Sequence, residues 1–139
     1  MFLDTSIIVD VDRANKLVIE VCRKLTQEHH ASISTVTASE ILTGSYLRKD
    51  YVKALAKARR VLGQFSWVNL DGAVAEKIAQ LNAYLIVEGQ PIEYQDQAIA
   101  ASCLTTGSDI LLTNNREHFI RIPALKGRVL TPEELKERL

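Results

Sequence analysis

Asp4, Glu40, Asp96 and Asn115 each stand where an apolar run stops or a helix is about to begin. Asp4 follows Phe2-Leu3, Glu40 opens Glu40-Ile41-Leu42, Asp96 precedes Ala98-Ile99-Ala100-Ala101, and Asn115 comes just after Ile110-Leu111-Leu112-Thr113. Three carboxylates gathered in one place repel one another unless a cation lies between them. Hard oxygen donors without His or Cys suit Mg²⁺ or Mn²⁺ better than Zn²⁺. The chemistry fitted to such a cluster is metal-assisted attack of water on a phosphodiester.

Each of these residues also has a purely structural explanation. Thr37-Ala38-Ser39-Glu40 reads as a capping box in which Glu40 reaches back to the Thr37 amide. Asp96 complements a helix N-terminus, Asp4 caps the turn made by Thr5-Ser6, and Asn115 serves as a turn residue. Asp4 tips the balance, because it is the first polar side chain after a strand starting at residue 1, a buried place for an unpartnered charge. Helix N-termini also lower carboxylate pKa values, so Glu40 and Asp96 are expected to stay ionised.

The elements that must position these groups alternate. The continuous apolar run at residues 1–3 reads as a buried strand, and residues 31–34, 67–70, 110–112 and 128–130 read as further strands. Helices are expected within 13–29, over 38–47 and 51–65, from Asp71-Gly72 to Gly89, and from Tyr94 through Ser102. A last helix starts at Thr131-Pro132, with Thr131 as N-cap. The expected class is α/β: a parallel four- or five-stranded sheet flanked by helices on both faces, forming a single domain over 1–139. In such sheets ligands sit outside the carboxyl ends of the strands, where the four polar residues collect.

Lys+Arg and Asp+Glu both number 17, so no global basic field announces a nucleic-acid binder, and a polyanion must be held by local charge or metal. Cys22 and Cys103 lack CxxC spacing and read as small buried hydrophobes; a disulfide stays open, but a reduced cytosolic setting fits better. No leader or membrane-spanning segment is visible, so a soluble, cytoplasmic protein is expected.

Four segments carry a family resemblance: Phe2-Leu3-Asp4-Thr5-Ser6, Thr37-Ala38-Ser39-Glu40-Ile41, Asp96-Gln97-Ala98-Ile99-Ala100-Ala101, and Leu112-Thr113-Asn114-Asn115-Arg116-Glu117-His118-Phe119. In order, spacing and total length the chain resembles the PIN-domain ribonucleases, and most closely the VapC-type toxins of toxin–antitoxin pairs. The resemblance implies a Mg²⁺- or Mn²⁺-dependent endoribonuclease acting on RNA. Asp4, Glu40 and Asp96 match the family's metal-binding acids, Thr5 or Ser6 the hydroxyl beside the first acid, and Thr113 the hydroxyl beside the last motif. Asn115 falls where many relatives carry a fourth acid, which leaves three formal charges and makes a second metal less certain. Apolar surface on the early helices would suit a homodimer or an antitoxin segment, partners the resemblance also implies.

Arg116 is the expected RNA contact at the active rim, unless it caps a helix or pairs with Glu117. Lys53, Lys57 and Arg60, at i, i+4 and i+7 and extended by Lys49, form either a solvated face or a phosphate-tracking strip. His29-His30 is expected to end a helix and His118 to pack beside Phe119. Competing readings are a haloacid-dehalogenase-type phosphatase, which needs an acid where Ser6 stands, a receiver-like domain, whose acidic pair and late Lys are not evident, and a non-catalytic PIN-like scaffold that binds RNA or protein.

Overall fold

Phe2, Leu111 and Val129 lie in register across three neighbouring strands, and Leu3, Leu112 and Leu130 do the same one position on. Because side chains alternate across a strand, the two rows face opposite sides of the sheet. The computed structural model, which describes residues 1–28 and 30–138, builds a separate core on each row. Five strands, β1 (Phe2–Leu3), β2 (Ser32–Ser34), β3 (Ser66–Val68), β4 (Leu111–Leu112) and β5 (Val129–Leu130), pair in the order β3-β2-β1-β4-β5. All pairings are parallel.

The helices are α1 (Thr5–Asp12), α2 (Lys16–Glu28), α3 (Thr35–Tyr46), α4 (Tyr51–Leu62), α5 (Gly72–Val87), α6 (Tyr94–Thr105), α7 (Arg116–Phe119) and α8 (Pro132–Arg138). The Phe2 row is covered by α5 and α6 through Val74, Ile78, Leu85, Ala98 and Ile99. The Leu3 row is covered by α1, α2, α4 and α8 through Ile7, Ile8, Val21, Leu25, Leu62 and Leu135. The expected α/β class, with helices on both faces, is what the chain forms. Cys22 and Cys103 are buried free thiols, and burial pushes each pKa up to about 11. Among the described residues no helix is long and apolar enough to cross a membrane.

Two helix starts differ from expectation, and both matter for the site. Thr5–Asp12 forms α1 directly after β1, so the first helical region is two helices, separated by Ala14 at φ 60° and restarted by Asn15, whose Oδ1 accepts from the Val18 amide at 3.2 Å. Likewise α3 begins at Thr35, not Ala38, because Ser34 ends β2 and caps the helix by accepting from the Val36 amide at 3.1 Å. Thr131 caps as expected, accepting from the Glu134 amide at 3.3 Å, and Asp71 caps α5 by accepting from the Val74 amide at 3.0 Å. Of the expected His29-His30 helix end, His29 lies outside the described residues.

Candidate active site

Asp4 and Thr113 are the next pair beyond the Leu3–Leu112 register. The Asp4 amide donates to the Leu112 carbonyl at 3.0 Å and the Thr113 amide to Leu130 at 2.9 Å, so the ladder carries on through both. This brings a carboxylate and a hydroxyl side by side from 109 positions apart: Thr113 Oγ1 donates to Asp4 Oδ2 at 2.8 Å. Ser6 Oγ, one residue into α1, donates to the same oxygen at 2.7 Å. Each hydroxyl then accepts a backbone amide, Ser6 from Asn114 at 3.0 Å and Thr113 from Asn115 at 2.9 Å. Asp4 is only 2% exposed, and Thr113 is fully buried. A buried carboxylate persists only with such hydrogen bonds.

Glu40 does not close the capping box. With α3 starting at Thr35, Thr37 sits inside the first turn, and Glu40 turns instead to α1, where Thr5 Oγ1 donates to its Oε1 at 3.0 Å. Because that proton is spent on Glu40, the Thr37 hydroxyl 2.9 Å away donates in turn to Thr5. Asp96 lies in the first turn of α6, and its Oδ2 lies 3.0 Å from His118 Nδ1. His118 therefore leaves Phe119 to the core and turns to the rim, contrary to the expected packing beside Phe119.

The electrostatics also differ from expectation. Burial raises the pKa of Glu40 above its ordinary value, Thr5 pulls it back, and the charges of Asp4, Asp96 and Glu93 raise it further. Asp96 is raised for the same leading reason, against the opposing pull of His118, with Asp4 and Glu93 adding to the rise. Glu40, the sixth residue of α3, lies beyond the first turn where a helix N-terminus acts, and for Asp96 desolvation leads the rise. Glu40 remains largely solvent-exposed, so water screens much of its penalty. Glu93, at the N-cap position of α6 with no capping hydrogen bond, is a fourth acid that motif reading passed over.

Three segments thus bring Asp4, Glu40 and Asp96 within electrostatic reach of one another. Ser6 and Thr113 occupy one oxygen of Asp4, Thr5 one of Glu40 and His118 one of Asp96, which leaves Asp4 Oδ1, Glu40 Oε2 and Asp96 Oδ1 free of hydrogen bonds among the described residues. No three His, Cys, Asp or Glu side chains among the described residues close into a ready-made ligand cage. Such a donor set fits a cation that keeps part of its water shell, as Mg²⁺ does. Asn115 sits at the N-cap position of α7, with its exposed side chain making no capping bond. Its neighbour Asn114 is tied down, Nδ2 donating to Asp10 Oδ2 at 2.7 Å. Arg116 pairs with neither a helix end nor Glu117; it faces Glu134 of α8 at 3.7 Å. The pairings of Asn114 with Asp10 and of His118 with Asp96 were missed because the partners are distant in sequence, whereas the position of Glu93, three before Asp96, offered a signal.

A parallel sheet in this strand order, with acids converging over its carboxyl edge, is the architecture of a known family. Residues 1–125 match the PIN domain, and the chain belongs to that family. Within it the chain is VapC-like. It is 30% identical over 94 residues to the tRNA(fMet)-specific endonuclease VapC of Shigella flexneri, an alignment covering 68% of this chain and 70% of that protein. Its fold is similar to that of DNA-bound VapBC from Salmonella typhimurium, with TM-score 0.84 and 25% identity over 94% of this chain and 96% of that one. VapBC2 from Rickettsia felis, bound to a promoter DNA fragment, shares the fold at TM-score 0.85 and 21% identity, again over 94% and 96% of the two chains.

Proposed function

We propose that this chain is a Mg²⁺- or Mn²⁺-dependent endoribonuclease that hydrolyses RNA phosphodiester bonds, the toxin of a VapBC-type pair. The observation that carries this reading is the convergence of Asp4, Glu40 and Asp96 from three separate elements, close enough that Asp4 raises the pKa of both the others. The metal would be held by Asp4 and Asp96 with Glu40 beside them. A divalent cation there supplies two things: a lowered pKa for a bound water and neutralisation of charge on the phosphate.

The protein's own groups divide the remaining tasks. Ser6 and Thr113 fix the Asp4 carboxylate, and His118 fixes Asp96. Thr5 holds Glu40 Oε1, so Oε2 is the oxygen that orients the attacking water and accepts its proton. Desolvation and neighbouring acids make Glu40 a better base than a free carboxylate. The Asn115 amide offers a neutral hydrogen bond to the phosphate or to a positioned water. Arg116, half-engaged with Glu134, is a weaker candidate for an RNA contact than its place in the motif implied.

The proposal extends to the whole chain, residues 1–139, as one nuclease domain in the cytoplasm, held in check by an antitoxin and acting as a homodimer. A phosphatase of the haloacid-dehalogenase type is disfavoured by Ser6, which stands in the second acid's place and serves Asp4 as a hydrogen-bond donor. A non-catalytic scaffold is the remaining alternative. Protein purified free of contaminating nuclease is expected to cleave RNA with Mg²⁺ or Mn²⁺, and to stop with chelator, with Asp4→Ala and with Asp96→Asn. Wild-type rates in either variant would sink the nuclease reading.

A further inference from the structure

A groove of about 590 Å³ opens from Glu40 away from the other acids, walled by α1, α3 and α4. Five cations reach into it, Arg13, Arg48, Lys53, Lys57 and Arg60, against only three acids, Asp12, Glu40 and Asp50. The chain as a whole has a net charge of zero, so this excess is local. Two of the cations are already used within the wall. Arg48 Nε binds Asp50 Oδ1 at 2.9 Å, a hydrogen bond that also holds the Asp50 carboxyl below its ordinary range. Lys57 Nζ donates to the Asp12 carbonyl at 2.6 Å and lies 4.0 Å from its carboxylate. The side chains of Arg13, Lys53 and Arg60 make no ion pair or hydrogen bond among the described residues, although Lys53 lies near enough to Asp50 to help lower its pKa, and all three are exposed. The one acid they face without a partner cation is Glu40, at the catalytic end.

We infer that this groove binds the sugar-phosphate backbone of single-stranded RNA on one side of the scissile bond, with Arg13, Lys53 and Arg60 each taking a phosphate. The spacing supports an extended polyanion. Lys53 and Arg60 share one face of α4, seven residues and roughly 10.5 Å apart along the helix axis, with Lys57 between them held to Asp12. Gly44, Ser45 and Ala54 line the space between the charged rows, with Val9 and Ile41 as the larger apolar side chains of the groove. Continuity with Glu40 makes the groove an exit path for the strand whose phosphate is cut. The inference rests on the nuclease reading for the position of the scissile bond, but not for binding itself.

The test therefore measures binding without cleavage, in the Asp96→Asn protein with chelator present, using a short labelled single-stranded RNA across a series of salt concentrations. On single strands each phosphate contact contributes about 0.7 to the slope of log affinity against log salt. Replacing Arg13, Lys53 and Arg60 together by Gln is expected to flatten the slope by about 2 and to weaken binding about tenfold or more at low salt. Arg60→Gln alone is expected to remove about 0.7 of slope, which serves as the reading should the triple variant fail to fold. Lys126→Glu, a charge change outside the groove, is expected to leave the slope unchanged. An unaltered slope in folded Arg13, Lys53 and Arg60 variants overturns the inference, as does a loss of affinity for an acidic protein partner with RNA affinity intact. If wild-type protein binds RNA with this groove-dependent slope yet never cleaves it, the nuclease reading fails and the groove assignment stands.

Discussion

The two sides of the acidic rim are built on opposite terms. Asp4 is sealed at the end of the central strand, 2% exposed, with two hydroxyls on one oxygen and its backbone locked in the β1–β4 ladder. Glu40 and Asp96 belong to helices, lie nearer solvent, and hold one partner each, Thr5 and His118. The sealed side fixes where charge lies, while on the open side desolvation, with like charges adding to it, raises the pKa of both acids. Under the proposed function the first corner would supply position and the second would exchange a proton or a cation.

The sharpest way to break that division is at the acids themselves. Asp4→Asn and Asp96→Asn are each expected to lower the RNA cleavage rate by more than the roughly 10–100-fold that follows loss of an outer partner of a metal ligand. Steady-state rates at saturating Mn²⁺ measure this; a loss confined to the Asp4 variant would sink the nuclease reading, since the metal is proposed to need both acids. Next in size is a matched pair of hydroxyl deletions. Thr113→Val, which strips a buried charge of a donor, is expected to cost about 1.5–3 kcal/mol in denaturant unfolding. Thr5→Val, beside solvent-exposed Glu40, is expected to cost less than about 1 kcal/mol. Equal costs would erase the contrast between the two corners.

His118→Ala is expected to raise the Mn²⁺ concentration needed for half-maximal activity by about tenfold while folding normally, and His118→Asn, which keeps a donor near the same place, to recover most of it. A purely structural histidine would instead lower stability with the metal requirement unmoved. The smallest effect is on pH. Folded-state pKa values of Glu40 and Asp96 lie above the ordinary 4.5 and 3.8, so the metal-free fold has this contribution in full below that range. The contribution is lost as pH rises through the raised values. Thermal unfolding in chelator is expected to show that decline, flattened in Glu40→Gln and Asp96→Asn and offset by added Mn²⁺. A melting temperature that rises through the same window would reverse the sign assigned here.

How legible this was depended on distance along the chain. The short strand candidates at residues 1–3, 31–34, 67–70, 110–112 and 128–130 each overlap an observed strand, and the Val74, Ile78, Leu81, Leu85 spacing announced α5, because burial on a repeating face is written locally. α1 was hidden, since the β-branched Ile7-Ile8-Val9 carry a weak local helix signal, while tertiary burial of Ile7 and Ile8 favours the helix. The capping box at Glu40 failed for a related reason: the motif is right in letters, but α3 starts two residues before Thr37. The partners of the site residues were the least visible. His118 with Asp96, Asn114 with Asp10 and Arg116 with Glu134 are all set by how strands and helices stack, which no short window of sequence contains.

The bond from Thr113 to Asp4 joins residues 109 apart, across a central strand that pairs with both β2 and β4. Synthesis reaches Thr113 long after Asp4, so the Asp4 carboxylate waits for this donor until β4 has been made. A copy that stops short of Thr113 is expected to leave this corner of the candidate site incomplete.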